Sequence, residues 1–98
     1  MAKTKPFDAA AYLDSRGAIA AYLSEAFETN DPAFIAAALG TVARAQGMTA
    51  VAKETGLSRE SLYKALSPEG HPEFSTVLKV LNALGVQLHA ETKIAKAA

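Results

Sequence analysis

The chain has 98 residues, half of them apolar, which is enough for one domain around a single modest core. Ten basic and ten acidic residues cancel, which excludes a uniformly cationic body that coats nucleic acid without selectivity. Any nucleic-acid contact has to come from a local patch or from two copies acting together. The absence of cysteine excludes disulfides, thiolate metal sites and a cysteine nucleophile at once, and suits a reducing cytosol.

In chain order, MAKTKPFDAAAYLD has no apolar run long enough for a signal peptide. Its FDAAAYLD portion reads as a brief first helix, followed by Ser15, Arg16 and Gly17. A firmer helix follows, with Ile19, Tyr22, Leu23, Ala26 and Phe27 spaced as one amphipathic stripe and Thr29 and Asn30 at its end. Asp31 caps the next helix and Pro32 fills its first turn. Phe34, Ile35, Ala38, Leu39 and Val42 form its stripe, and Gly47 stops it. The apolar run inside it, from Phe34 to Ala43, is interrupted by Gly40 and Thr41 and is too short to span a bilayer. The expectation is a soluble cytoplasmic protein without membrane contact.

Thr49 is placed to cap a two-turn segment, TAVAKETG, with Val51 and Ala52 inward and Gly56 at its end. Ser58 caps a second short helix reaching about Leu66, and the loop SPEGHP follows. Pro72 and Glu73 open the last long helix, whose expected inward stripe is Phe74, Val77, Leu78, Leu81 and Leu84, with Gly85 beyond its end. VQLHAE alternates apolar and polar residues and allows a short strand; TKIAKAA reads as frayed or helical. The fold class expected is all-α, a compact helix-turn-helix domain of five or six short helices, with a short C-terminal strand left open. Residues 1–98 form one domain: an N-terminal helical extension over 1–30, the core over 31–85, and a strand and tail over 86–98. The alanine-rich helices bury little area per residue, and Val80 lies just outside the expected stripe. Val80 and the unpartnered alternating segment point either to a dimer interface or to a wide buried face and a loose tail.

The two short helices around Gly56, Leu57 and Ser58 have helix-turn-helix proportions, with small Ala52 at the approach, Leu57 beneath the turn and Leu62 as the core anchor. An ordinary helical hairpin is the plain alternative. At about 100° per residue, setting Leu62 inward places Ala65 and Leu66 beside it. Glu60 and Lys64 then lie opposite, with Tyr63 and Ser61 on the outward flanks and Arg59 low on the Tyr63 side. In a helix-turn-helix these are the positions that would enter a major groove. Arg59 suits guanine, Ser61 donates or accepts, Tyr63 offers a ring and a hydroxyl, and Lys64 suits phosphate or guanine. Glu60 and Lys64 equally suit a solvated helix pair. Thr49 and the backbone near Ala50 are candidate phosphate anchors, with Gln46 and Lys53 as assistants or plain solvated side chains.

An enzyme reading finds little support. The six glycines are scattered at element ends rather than gathered in a phosphate-binding motif. His71 and His89 lack a second ligand at helical spacing; His71 is read as a cap or loop residue and His89 as solvent-facing. No cofactor is expected. Ser58, Ser61 and Ser67 have no base beside them in sequence.

The runs GLSRESLYKALSPEG and PEFSTVLKVLNALG, with the preceding YL, IAAYL and DPAFIAAALG, resemble the addiction-module antidote (antitoxin) proteins, with a helix-turn-helix of the phage-repressor type. The strongest match spans about Ala36 to Val86. The resemblance implies an antitoxin of a type II toxin-antitoxin module that silences a RelE/ParE-like toxin and represses its own operon, as a homodimer on double-stranded operator DNA. It carries the recognition helix onto Ser58, Arg59, Ser61, Tyr63 and Lys64. Toxin contacts are sought first at Phe7, Tyr12, Leu13, Tyr22 and Phe27, most of which also read as core. His71 departs from the expected pattern, where asparagine would cap better. The alternatives are a stand-alone repressor-like regulator and a helical interaction module that does not bind DNA.

Overall fold

Asp31 opens its helix as its neighbours dictate: Oδ1 accepts from the amides of Ala33 at 3.1 Å and Phe34 at 3.4 Å. Pro32 occupies the turn where an amide proton has no intrahelical partner to lose. This helix belongs to a computed structural model that describes residues 13–93. In chain order the elements are α1 (Arg16–Glu28), α2 (Pro32–Gln46), α3 (Met48–Thr55), α4 (Arg59–Ala65) and α5 (Phe74–Ala83). Among the described residues there are five helices and no strand, and the fold is compact and all-α.

The helix ends follow from local chemistry. The Ser15 Oγ accepts from the amide of Ala18 at 3.1 Å and starts α1 at Arg16, with Gly17 inside the first turn. Asn30 turns the chain between α1 and α2 at φ 56°, a left-handed conformation that its short polar side chain tolerates. Gly47, at φ 104°, ends α2, and the chain bends by 108° into α3. Gly47 is also the N-cap of α3, without a side-chain cap bond. Thr49 therefore lies inside the first turn rather than at the cap, because the buried Met48 already begins the helix. His71, at φ 46°, sits in the loop leading into α5, whose N-cap is Glu73.

The core is shared by all five helices. Ile19 and Leu23 from α1, Leu39 and Val42 from α2, Val51 and Ala52 from α3, Leu62 from α4, and Val80 and Leu81 from α5 are buried, with Leu66 and Leu84 closing the ends of α4 and α5. The second helix packs against α1, α3 and α4, while α3 lies against α4 and α5. Among the described residues no single helix is long and apolar enough to cross a membrane.

Several expected placements change. On α5 the buried arc holds Val80, fully enclosed, while Phe74 is 65% and Leu78 43% exposed. Phe34, expected inside, is half-exposed near the start of α2. Residues 86–93 form neither strand nor helix, since a ladder needs a neighbouring strand and the described residues provide none. The expected FDAAAYLD helix and the last five residues fall outside the described residues, as do Phe7 and Tyr12, except that Leu13 and Asp14 of that helix are described and non-helical.

Candidate functional site

The site is built from α3, a three-residue turn and α4. Gly56 caps α3 at φ 77°, donating its amide to the Ala52 carbonyl at 2.9 Å. Thr55, buried beside it, donates its hydroxyl to the Ala52 carbonyl at 3.2 Å and accepts the Leu57 amide at 3.3 Å. Both capacities of that hydroxyl hold the turn. Leu57 packs against the core from within the turn. Ser58 then caps α4: its Oγ accepts the Ser61 amide at 3.0 Å and lies 2.9 Å from the Ser61 Oγ.

A single residue, Leu62, buries α4 between those ends. Its burial stabilises the helix by about 1.5–3 kcal/mol relative to exposure. Beyond it, Leu66 ends the helix, and α2 comes so close there that a Cβ on Gly40 would run into the Leu66 carbonyl. Gly70 returns against the carbonyls of Lys64 and Ala65 with equally little room. Close backbone approach on two sides thus fixes how α4 stands on the body.

What remains of α4 faces water. Arg59, Glu60, Ser61, Tyr63 and Lys64 are all exposed, in the arrangement expected from helical spacing. The Arg59 guanidinium lies 5.9 Å from the centre of the Tyr63 ring, a cation–π contact that holds both on one outward flank. Two bases and one acid give this face a local positive charge in a chain that is neutral overall. Glu60 in the first turn and Lys64 in the last also complement the helix dipole, so each has a structural use besides any contact.

The flanking candidates divide. Thr49 and Lys53 are exposed on α3. Gln46 donates through Nε2 to the Leu13 carbonyl at 3.5 Å, joining the end of α2 to the chain before α1. Leu13 is itself enclosed in the core, which corrects its place among candidate toxin contacts. Tyr22 and Phe27 pack partly against the same core, and Phe27 also lines an open cleft of about 730 Å³ between α1 and residues 85–91. His89 is exposed beside that cleft. Among the described residues no three histidine, aspartate or glutamate side chains gather to hold a metal.

Sequence reading missed Thr55, Gly40 and Gly70. The threonine had a signal, since a hydroxyl just before a glycine turn bonds to nearby backbone. The two glycines had none: their role lies in close approach of distant backbone, which no local pattern carries.

Comparison with known proteins adds what geometry cannot. A family described as probable addiction module antidote protein matches residues 3–92. An uncharacterized protein of Haemophilus influenzae is 45% identical over 87 residues, covering 89% of this chain and 90% of that protein. No solved structure matches the chain significantly. On a match that takes in every described helix, the chain belongs to the addiction module antidote family.

Proposed function

We propose that the chain is an antitoxin whose α3–turn–α4 unit is a helix-turn-helix that reads operator DNA. Membership of an antidote family implies a toxin partner; the proposal adds that the toxin is of the RelE/ParE type and that the antitoxin represses its own operon. The observation that carries it is the economy of α4, where one buried leucine supports five outward polar or aromatic side chains. A helix with so little core to complete is suited to presenting its outer face.

In this reading Arg59 enters the major groove and bonds a guanine edge, held in place by Tyr63. Ser61 and Lys64 contact a neighbouring base edge or phosphate, Thr49 meets the phosphate backbone beside α3, and Ser58 orders the helix start. The protein acts in the cytoplasm, as a homodimer and without enzymatic activity. The competing reading is an interaction module that does not touch DNA, favoured by zero net charge and by Glu60 on the outward face.

The two functions separate in cells. Arg59→Ala, expressed beside the neighbouring toxin gene under an inducible promoter, is expected to rescue growth as the unaltered chain does. A reporter driven by the operon's own promoter is expected to rise, reflecting a loss of about 1–3 kcal/mol at one base pair. Repression unchanged by the substitution would contradict the assignment of this face.

A further inference from the structure

Residues 85–91 lie beside α1 without closing on it, which leaves the open cleft of about 730 Å³ between them. Its deeper lining is apolar: Leu23 and Leu81 are buried, and Phe27 and Val86 are half-buried. Leu88, 39% exposed, stands at its edge. Along α1 the wall is kept low by Gly17, Ala20 and Ser24, all exposed. An opening of this size and lining admits a few side chains of a partner.

The charges around the cleft differ in sign from those around α4. Glu28 and Glu91 line it, and Asp14, Glu25 and Asp31 are exposed on α1 or at its ends. Over residues 14–31 four acids stand against a single base, Arg16. A Cβ on Gly85 would come within 2.8 Å of the Arg16 Nε, so that side chain lies across Gly85, about 18 Å along the helix axis from Glu28. Over residues 44–64 the balance is reversed, with Arg44, Lys53, Arg59 and Lys64 against Glu54 and Glu60. A chain of zero net charge thus has an acidic region on α1 and a basic one around α3 and α4. Phosphates are drawn to the second and repelled by the first.

We infer that the cleft is the toxin-binding surface and that it takes a cationic segment of the toxin, with apolar side chains for the floor and lysine or arginine for Glu28 and Glu91. Membership of an antidote family requires a surface for a toxin, and the acidic region is the one that DNA does not use. Toxin and operator then occupy separate parts of the chain and do not compete. The inference rests on the antidote reading and is independent of whether α4 reads bases.

Isothermal titration calorimetry of the full chain with the purified product of the neighbouring toxin gene tests it. Affinity is expected to fall as salt rises, because opposite charges meet across the interface. Ala20→Arg, and Glu28→Lys combined with Glu91→Lys, are each expected to weaken toxin binding by about tenfold or more. Glu54→Lys combined with Glu69→Lys makes the same change of net charge at exposed positions outside the cleft, and is expected to leave binding unchanged. Glu28→Gln combined with Glu91→Gln keeps both side-chain sizes and is expected to fall between. Lysine in the last turn of α1 suits the helix dipole, so the helical circular dichroism should hold. Affinity unchanged in the cleft variants, or lowered equally by the Glu54 and Glu69 pair, would overturn the inference. Unchanged affinity with a shifted melting temperature would also overturn it, by assigning the cleft to the chain's own basic ends at Lys3, Lys5 and Lys96. Toxin binding lost only in the cleft variants would support it even if the unaltered chain showed no operator selectivity, an outcome that removes the reading of α4 alone. An unaltered chain indifferent to the toxin would overturn the inference together with the antidote reading.

Discussion

Gly40 shows what one missing methyl group decides. It lies in the middle of α2, where helix propensity alone would favour alanine by about 1 kcal/mol. The Leu66 carbonyl occupies the space that a Cβ would take, so α4 stands against α2 at that point only because residue 40 has no side chain. Gly40→Ala is therefore expected to destabilise the fold by about 1–3 kcal/mol in denaturant melts, against its propensity gain. A neutral or stabilising result would show that α4 can move away without cost. Thr55 acts at the same scale, since its hydroxyl ties α3 to the turn on both sides.

The start of α4 depends on Ser58, whose Oγ takes the Ser61 amide. Ser58→Ala is expected to cost about 1 kcal/mol, measured as a shift in the urea midpoint, because seven residues offer little else to hold the first turn. Operator affinity should fall more than global stability does, since fraying displaces Arg59 and Ser61 before it reaches the core. Signals of this kind are legible in a sequence because they are local: Asp31 with Pro32, Gly56, Ser58 and Gly85 each mark an end through their own chemistry. The outward face of α4 was legible for the same reason, as helical spacing alone fixes it once Leu62 is inward. The buried arc of α5 was not. Its large apolar residues spread over about 160° of the circumference, with Val77, Val80, Leu81 and Leu84 within an arc of about 100° and Phe74 and Leu78 about 20–60° beyond it. Either arc could serve as the inner one by pattern, and only packing against α3 selects the arc holding Val80. The C-terminal alternation misled in a related way, because a strand needs a partner and the described residues supply none.

At the scale of the whole molecule the question is charge. With ten bases against ten acids, no general attraction pulls this chain onto DNA, so the proposed affinity would have to come from a few contacts at α3 and α4, doubled if two copies bind together. Two recognition helices on one face of a duplex stand about 34 Å apart, and half-sites at that spacing are the pattern to seek upstream of the gene. The most direct test is a fluorescence-anisotropy titration of the purified chain against its own upstream DNA and a scrambled duplex, each at two salt concentrations. Tight binding to the upstream DNA alone, weakening as salt rises, is the result expected if α4 reads bases while neighbouring groups hold phosphates. Equal and weak binding to both duplexes would contradict it, and would leave the exposed face of α4 as a solvated or protein-binding surface.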